Sequence, residues 1–249
     1  MKRKLCGTHA VAEALAARPR AIALLMVSDD GPRSPHRDAI ERAKQSGVLV
    51  EVRAAAELDA IANGVRHQGI IAIGGEDFAY FDLEGVLREA ASPELIVALD
   101  EITDVHNLGA IVRSCVALGA DGVITLRDRA APVNAAVVRA SAGATEHARI
   151  ARVTNLARAL ETLDERGIQS VGLDMSGDRT LDAVDFTIPT VLVVGSEGKG
   201  LRRLVRERCA VLARIPMAGP LGSLNASVAA AIALYEARRQ RLLAADRKP

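Results

Sequence analysis

Three stretches of the chain combine polar side chains with glycine in a way that suits ligand binding or catalysis. They read DEITDVHNLGAIVR at 100–113, GSEGKG at 195–200 and IPMAGPLGSLN at 215–225. Each comes directly after a run of apolar residues of the kind that forms a buried strand. Because loops at the carboxyl ends of parallel strands line the ligand crevice of an α/β sheet, we expect the three stretches to converge.

The glycine-rich stretch does not match the two common phosphate-binding patterns. A P-loop has four residues between its first glycine and the Gly-Lys pair, whereas only two separate Gly195 from Gly198. A dinucleotide-binding loop needs a further glycine where Arg203 stands. Glycine still lets the backbone approach a flat ligand closely. The loop therefore favours a nucleoside-containing ligand over a triphosphate or NAD.

The third stretch leads into a helix rich in alanine. Ser223 and Asn225 are residue types that cap a helix N-terminus or leave its N–H groups free for a ligand. Apolar residues then recur at spacings of four and three along one face: Leu224, Val228, Ile232 and Tyr235. So many small residues suggest close approach to another element. Taken alone, the stretch is best interpreted as an ordinary strand–loop–helix corner capped by Ser223.

Strands and helices that alternate along the chain predict an α/β fold for both halves. The first half is predicted to contain strands at 21–27, 48–52 and 69–73 and helices at 8–17, 37–45 and 54–62, the first capped by Thr8. The second half is predicted to contain strands at 95–99, 122–126, 169–173, 190–194 and 211–215, with helices at 133–142, 155–167 and from Leu201. Residues 76–94, with six acidic residues and one basic residue, are predicted to link the halves and to carry a helix at 83–90.

Composition limits the kind of partner the chain binds. Of its 249 residues 49% are hydrophobic but only 2% aromatic, so small aliphatic side chains fill the core and aromatic stacking on RNA bases is disfavoured. A net charge of +1 argues neither for nor against nucleic acid. Five basic residues do cluster within ten positions, as a solvated helix face or a phosphate-binding surface would: Lys199, Arg202, Arg203, Arg206 and Arg208.

The number of cysteines and the hydropathy of the chain indicate in which cellular compartment the protein is expected. The three cysteines, Cys6, Cys115 and Cys209, form no CxxC pair, which indicates free thiols rather than a disulfide or a metal site. No secretion signal and no run of membrane-spanning length is evident. The sequence predicts a cytoplasmic protein with no membrane and no metal partner.

The three stretches, in this order, resemble the three motifs of the SpoU (TrmH-like) family of RNA ribose 2′-O-methyltransferases. The segments that carry the resemblance are DEITDVHNLGAIVRS, VLVVGSEGKGLRRL and IPMAGPLGSLNASVAAAIALYE. In addition, CGTHAVAEAL and VRHQGIIAI resemble the substrate-binding domain of several members. The resemblance covers nearly the whole chain and is greatest to members that methylate a guanosine of bacterial 23S ribosomal RNA. Val105 stands where the family usually has proline, which should loosen that loop slightly.

The resemblance implies an architecture and an assembly. Residues 1–75 would be a small L30e-like α/β domain that binds the RNA substrate, and residues 76–94 a linker. Residues 95–249 would be a parallel-sheet methyltransferase domain of the SPOUT type, whose C-terminal part forms a deep trefoil knot. A homodimer would form through the knotted domain, with the alanine-rich helix at its interface.

The resemblance also implies a reaction, in which a methyl group passes from S-adenosylmethionine to a ribose 2′-hydroxyl of RNA. The positions that match the family's catalytic residues are Arg113, Asn107, Glu197, Ser223 and Asn225. Those that match its cofactor contacts are Gly195, Gly198, Ile215, Met217 and Leu224. Deprotonating an arginine at pH 7 costs roughly 7 to 9 kcal/mol. We therefore expect Arg113 to act as a cation that stabilises the developing alkoxide, rather than as the general base.

Candidate RNA contacts are basic residues outside the three motifs' catalytic positions: Arg18, Arg20, Arg66 and Lys199. The histidines His9, His67 and His106 are interpreted as loop residues with partners in the protein, not as RNA contacts.

Three other functions are compatible with the sequence. A transfer RNA 2′-O-methyltransferase shares the chemistry but often lacks the N-terminal domain, and an antibiotic-resistance methyltransferase differs in its target nucleotide. A third possibility is an RNA-binding or assembly factor without catalysis, against which the retained Asn107, Arg113 and Glu197 argue. Binding of S-adenosylmethionine, measured by calorimetry, separates an enzyme from such a factor, and mapping of methylated riboses in a deletion strain identifies the target.

Overall fold

The computed structural model describes residues 3–31, 33–74, 78–219 and 222–246. The strands are β1 Lys4–Cys6, β2 Ile22–Val27, β3 Leu49–Val52, β4 Ile70–Gly74, β5 Leu95–Asp100, β6 Gly122–Leu126, β7 Ile150–Val153, β8 Gln169–Leu173, β9 Arg179–Thr180, β10 Thr190–Gly195 and β11 Val211–Arg214. The α-helices are α1 Thr8–Ala17, α2 Arg37–Gln45, α3 Ala55–Ala62, α4 Leu83–Arg88, α5 Val105–Leu118, α6 Ala135–Ala140, α7 Leu156–Asp164, α8 Arg203–Arg208 and α9 Ala226–Ala245.

The chain forms two compact units. Unit 1 contains the chain up to Ala79 together with Pro132–His147, and unit 2 contains Tyr80–Ala131 and Ala148 onward. These units do not coincide with the ranges 1–75, 76–94 and 95–249 predicted from the sequence. The differences concern residues 132–147, which were assigned to the second domain, and residues 80–94, which were assigned to a linker.

Unit 1 is built on a mixed sheet with the strand order β1-β4-β2-β3, in which β2 and β3 are parallel and β4 is antiparallel to β1 and β2. Successive residues of β2 face opposite sides: Leu25 packs with α1 and α2, and Met26 packs with α3. The sequence predicts β2 as a buried strand but does not predict β1, because three residues are too few to show a period. The cap of α1 was predicted wrongly: Gly7 is the N-cap and Thr8 is the first helical residue.

Residues 132–147 fold onto unit 1 because their apolar and charged side chains find partners there. Val138 on α6 is fully buried in the core formed with α1 and the sheet. Glu146 is buried and pairs with Arg3, and His147 Nε2 lies 2.7 Å from Glu13 Oε2. The sequence predicts the helix of this segment but not the unit on which it folds.

Unit 2 is a sheet of seven strands in the order β7-β6-β5-β10-β8-β11-β9, and every neighbouring pair is parallel. The predicted α/β class with a parallel sheet in the second half is therefore confirmed. All five strands predicted there are present, whereas the short β7 and β9 were not predicted. The central strands β5 and β10 are buried along most of their length, as continuous apolar runs require.

Of the segment predicted as a linker, residues 80–94 fold as part of unit 2. Residues 75–77 lie outside the described residues. The Phe81 N–H donates to the carbonyl of Ile150 at 3.0 Å, which adds this residue to the edge of the sheet beside β7. Asp82 caps α4, and Val86 on that helix is fully buried against Gly122.

The long helix α9 buries its small residues inside its own chain. Ala230, Ala233 and Ala237 are buried, and α9 packs on α5 and β10. The sequence interpretation placed the alanine-rich helix at a dimer interface. The buried alanines, however, pack within their own chain, so they do not require a second copy of it. The larger apolar residues Val228 and Tyr235 are instead exposed, to 45% and 62%. Among the helices of the described residues, none is both long and apolar enough to cross a membrane.

Candidate functional site

A cavity of about 350 Å³ opens at the carboxyl ends of β8, β10 and β11. Its walls include residues 195–200 together with Leu173, Asp174, Met175, Ile215, Ser223 and Leu224. The two stretches at 195–200 and 215–225 thus meet, as the parallel topology predicts. The volume lies within the range of small-molecule sites, and the lining mixes apolar with a few polar groups.

The loop at 195–200 is a tight hairpin that only glycine permits. The Gly200 N–H donates to the Ser196 carbonyl at 2.9 Å, and the Ser196 N–H donates back at 3.2 Å. A Cβ atom at Gly195 would lie 2.3 Å from the carbonyl carbon of Gly200, closer than atoms can approach. Gly198 has a φ of 75°, in the left-handed region. The loop therefore presents backbone, not side chains, to much of the cavity.

The first stretch joins the site through three side chains. Asn107 Nδ2 donates to Glu197 Oε1 at 3.0 Å, and Asn225 Nδ2 donates to Asn107 Oδ1 at 2.9 Å. Asn225 Nδ2 also contacts Glu197 Oε1 closely. Residues 118 positions apart are thereby gathered into one hydrogen-bonded cluster beside the cavity. We call this group, Asn107, Glu197 and Asn225, the polar cluster.

Asn225 also fixes the start of α9. Its Oδ1 accepts hydrogen bonds from the N–H groups of Ser227 at 2.9 Å and Val228 at 3.3 Å. Asn225 is therefore the N-cap, whereas Ser223, the cap expected from the sequence, lies in the loop and lines the cavity. Both groups of the Asn225 amide are in use, which makes its orientation fully determined.

A buried ion pair, not expected from the sequence, holds the end of the glycine loop. Asp100, at the end of β5, is fully buried and accepts the Arg202 N–H at 2.8 Å. Its other oxygen accepts Arg202 Nε at 2.7 Å and lies 2.6 Å from Nη2. An aspartate directly after an apolar strand was the available signal, but its partner is 102 residues away in the chain.

Asp174 and its neighbours Leu173 and Met175 were also missed. Burial acts to raise the pKa of Asp174, but hydrogen bonds from Ser176 and Arg206, with the charge of Arg206, outweigh it, so the pKa lies below its ordinary value. Asp174 therefore stays ionised at neutral pH. The signal was present in the sequence: β8 was predicted, and its carboxyl end had to lie on the same sheet edge as the other loops.

Four of the predicted catalytic and cofactor residues do not line the cavity: Asn107, Asn225, Arg113 and Met217. Asn107 and Asn225 still join the site through Glu197, which does line it, whereas Arg113 and Met217 do not. Arg113 follows Asn107 by six residues on α5, which places it about 9 Å along the helix and about 240° around it. Its side chain is exposed and makes no ion pair with the described residues. The predicted catalytic role of Arg113 and the predicted cofactor role of Met217 stay predictions.

The predicted RNA contacts lie at separate places. Lys199 lines the cavity of unit 2. In unit 1, Arg18 and Arg20 follow the C-terminal end of α1, and Arg66 lies in the loop before β4. Of the histidines, His67 has partners in Asp59 and the Gly69 N–H, as interpreted from the sequence. The role of these four basic residues in RNA binding stays a prediction.

The structure shows the state of the cysteines and the distribution of possible metal ligands among the described residues. All three cysteines are free. Burial raises the pKa of Cys115 and of Cys209 to about 12, so both thiols are protonated at neutral pH. No group of histidine, cysteine and carboxylate side chains suited to a metal ion occurs in the part of the chain that the structure describes.

Comparison with known protein families matches both halves of the chain. Residues 94–235 match the SpoU rRNA methylase family, and residues 4–75 match the substrate-binding domain of RNA 2′-O ribose methyltransferases. The first match spans the sheet from β5 to β11 and the first half of α9. The second spans β1 to β4.

Individual proteins are similar over nearly the whole chain. A 23S rRNA (guanosine-2′-O-)-methyltransferase, RlmB, of Neisseria meningitidis serogroup B is 40% identical over 242 residues, which are 97% of this chain and 97% of that protein. An uncharacterized tRNA/rRNA methyltransferase of Mycobacterium sp. (strain KMS) is 45% identical over 237 residues, 94% of this chain and 76% of that protein. The crystal structure of the SpoU methyltransferase AviRb from Streptomyces viridochromogenes with AdoMet has a TM-score of 0.81 at 29% identity, covering 97% of this chain and 91% of that one.

Proposed function

The chain belongs to the SpoU rRNA methylase family, and from this membership and the geometry of unit 2 we propose that it methylates a guanosine of 23S ribosomal RNA. The enzyme is an RNA ribose 2′-O-methyltransferase, and its methyl donor is S-adenosylmethionine. The choice of a 23S guanosine is supported by the Neisseria relative, which is similar over both halves of the chain.

The observation that carries the proposal is the polar cluster beside the cavity of unit 2. Three residues from three separate motifs share hydrogen bonds there, and they adjoin a hairpin whose backbone forms the cavity wall. An arrangement of this kind combines a site for a nucleoside-containing donor with fixed polar groups for an acceptor.

The residues of the cavity fit S-adenosylmethionine. Gly195 and Gly198 expose backbone that can approach a flat ring, and Ile215 and Leu224 offer apolar contact. Asp174, which is ionised, and Glu197 supply carboxylates suited to a ligand that carries positive charge. S-adenosylmethionine, when bound, supplies a methyl group on a positively charged sulfur. We propose that Gly195, Gly198, Ile215 and Leu224 hold it.

The remaining demands of the reaction fall on the chain's own side chains. The attacking ribose oxygen must be oriented and its developing negative charge stabilised. In this proposal the polar cluster, with Ser223, keeps the acceptor side of the cavity rigid. Arg113, exposed and without an ion pair among the described residues, is free to contact the RNA and to stabilise the 2′ oxygen.

Methyl transfer to defined RNA tests the proposal. The full chain is incubated with unmethylated 23S ribosomal RNA transcript and radiolabelled S-adenosylmethionine, and methylated riboses are mapped by their resistance to alkaline cleavage. We expect label at one guanosine ribose with the wild type and none with Arg113→Ala. Arg113→Lys should keep much of the rate if charge alone is required. Label on transfer RNA, or on a base, would contradict the proposal.

Two further measurements on the same purified protein distinguish the proposed function from two alternatives. A non-catalytic RNA-binding factor would show no binding of S-adenosylmethionine in calorimetry, whereas the proposed enzyme binds it. A transfer RNA methyltransferase would label a transfer RNA transcript in preference to 23S transcript. Mapping of riboses in a deletion strain, with and without a plasmid copy of the chain, then identifies the natural nucleotide.

We further propose that the enzyme is a homodimer in the cytoplasm and that its C-terminal part is a trefoil knot. The apolar residues of α9 that remain exposed support the dimer. The strand order supports the knot, because β8 lies between β10 and β11 in the sheet although it precedes both in the chain. Force applied at both ends of the chain should leave a knotted protein shorter than its full contour length.

A further inference from the structure

We propose that unit 1 carries a binding site for a phosphate group of the RNA backbone, formed by Arg66 and Arg139. The site is a second cavity, of about 250 Å³, lined by Cys6, Gly7, His9, Ala10, Arg66, Gln68, Arg139 and Ala142. We call it the arginine cavity. The inference rests on the proposed function, because that function supplies the RNA.

The arginine cavity combines two parts of the chain that are distant in sequence. Arg66 comes from the loop before β4, and Arg139 comes from α6 in the segment between β6 and β7. Val138, the neighbour of Arg139, is fully buried in the core of unit 1, which anchors α6 there. The cavity is therefore a product of the fold and not of one flexible loop.

The charges in the arginine cavity are not neutralised by the protein. Both arginine side chains are exposed, and neither makes a hydrogen bond or an ion pair with the described residues. No acidic side chain lines the cavity. The nearby acids have other partners, since Glu13 pairs with His147 and Glu146 with Arg3. Two unpaired guanidinium groups in one concave site favour an anion.

Cys6, which is fully buried, also lines the cavity. Burial raises the pKa of its thiol, and the positive charges of Lys4 and, to a smaller extent, Arg139 act in the opposite direction. The surroundings of Cys6 therefore carry positive rather than negative charge.

Backbone groups add to this positive character. Gly7, at a φ of 101°, is the N-cap of α1 and provides no side-chain cap. The Thr8 N–H donates to Gln68 Oε1 at 3.2 Å, whereas the N–H groups of His9 and Ala10 have no acceptor among the described residues. These free N–H groups belong to the first turn of α1, and the N-terminus of a helix favours negative charge.

The chemistry of the lining selects a phosphate over a base. A guanidinium group forms paired hydrogen bonds to phosphate oxygens, and two of them meet here. Among the described residues, no phenylalanine, tyrosine or tryptophan lines the cavity, so the His9 imidazole is the one aromatic ring that a base could meet there. A single phosphate with its neighbouring ribose suits the volume. Arg18 and Arg20 do not take part, since they follow the other end of α1, about 15 Å away.

The salt dependence of RNA binding tests the assignment. Affinity of the full chain for unmethylated 23S ribosomal RNA transcript is measured by filter binding between about 50 and 200 mM KCl. The variants are Arg66→Gln, Arg139→Gln and the double variant. Loss of the one phosphate contact should flatten the slope of log K against log salt by about 0.7 to 0.9 and weaken binding at low salt several-fold. Because both arginines hold the same phosphate, the double variant should lose this slope in full and each single variant should lose no more than that.

Matched controls separate a site from general charge. Arg37→Gln removes an exposed arginine from the same unit that pairs with Glu41, and it should leave the slope unchanged. Arg66→Lys and Arg139→Lys keep the charge and should keep the slope, with some loss of affinity. If a glutamine variant does not fold, the lysine variants still test the proposal. A lysine variant whose slope of log K against log salt flattens as much as expected for loss of the phosphate contact overturns it.

Two results overturn the inference: wild-type slope in both glutamine variants, or the same flattening in Arg37→Gln. Calorimetry of S-adenosylmethionine should give wild-type affinity in every variant, because the cavity of unit 2 is untouched. If the wild type methylates 23S RNA but the slopes do not change, the arginine cavity fails and the proposed function stands. If the slopes change but no ribose is methylated, the cavity stands and the proposed function fails.

Discussion

At the scale of single residues, Asn225 does two things at once. Its Oδ1 caps α9 and its Nδ2 joins Asn107 to Glu197. The two tasks can be separated, because aspartate is as good an N-cap as asparagine but has no N–H to donate. Asn225→Asp would also set a second carboxylate against Glu197.

We expect Asn225→Asp to keep the helix and lose the site. Affinity for S-adenosylmethionine in calorimetry should fall tenfold or more, about 1.4 kcal/mol, while the helical circular dichroism stays as in the wild type. Asn225→Ala should in addition lose about 1 kcal/mol of stability through the missing cap. Asn155→Asp is the control, since Asn155 caps α7 through Oδ1 alone. Wild-type affinity in Asn225→Asp would show that the cluster does not shape the cavity.

The same residues show how far the sequence predicts the site. Asn107, Glu197 and Asn225 could be selected from the motifs, and the parallel topology predicts that their loops meet. The sequence could not predict that Asn225 caps α9 while Ser223 lines the cavity. Both are good capping residues, and only the path of the loop decides which of them is the N-cap. Asp100 was overlooked, since a buried carboxylate is recognised by its partner and Arg202 is far away in sequence.

At the scale of elements, the hairpin at 195–200 depends on the absence of a side chain at Gly195. In Gly195→Ala the new Cβ would meet the backbone of Gly200, which cannot move without opening the hairpin. We expect the loop to shift and affinity for S-adenosylmethionine to fall at least tenfold, in line with the roughly 1–3 kcal/mol typical of overpacking. Calorimetry measures this directly.

Gly219→Ala provides the comparison for that experiment. Gly219 lies in the neighbouring loop, where an added Cβ would meet no atom of the described residues within 4 Å and the backbone has no left-handed φ. It should bind S-adenosylmethionine like the wild type. Equal affinities for the two alanine variants would mean that the hairpin is not part of the donor site.

The ion pair between Asp100 and Arg202 connects the hairpin to β5. Arg202→Ala would leave a fully buried carboxylate with a single backbone donor. Removing one partner of a buried pair costs about 3–5 kcal/mol, and less here because a third of the Arg202 side chain is exposed. We expect about 2 kcal/mol, seen as roughly thirty-fold faster hydrogen exchange of β5 and β10 amides.

Arg203 is the natural control for Arg202. It is the next residue, it is exposed, and it pairs with Glu207, which is also exposed. A surface pair of this kind contributes little, so Arg203→Ala should leave exchange in β5 unchanged. If the two variants behave alike, the buried pair does not hold this part of the sheet.

Elements were predictable where their apolar runs were long. The five main strands of unit 2 lie within continuous runs, so the sequence predicts them, whereas β1, β7 and β9 have two to four residues and no clear period. The helix at 133–142 was predicted, but its unit was not. Chain order suggested unit 2, and the burial of Val138 among residues of α1 and the first sheet decided otherwise.

At the scale of the whole molecule, one apolar surface of unit 2 is left uncovered by the described residues. Ala110 and Ser114 of α5 and Ser227, Val228, Ala231, Ile232 and Tyr235 of α9 line a shallow depression there. The stripe predicted from the sequence, Val228 to Tyr235, is this surface, and the alanines on the other side of α9 are buried. A helix that is apolar on both sides needs a second partner.

We expect the second partner to be another copy of the chain. In Ile232→Asp a charge would be buried at the interface without a partner, so the dimer should dissociate. Light scattering after gel filtration should give twice 26.2 kDa for the wild type and 26.2 kDa for the variant. Leu49→Asp makes the same chemical change on the edge strand of unit 1, where the leucine is 59% exposed, and should remain dimeric. Because both substitutions add one negative charge to an exposed apolar position, only a specific interface through α9 accounts for a difference between them. A wild type of 26.2 kDa, or dissociation of both variants, would exclude this surface as the dimer interface.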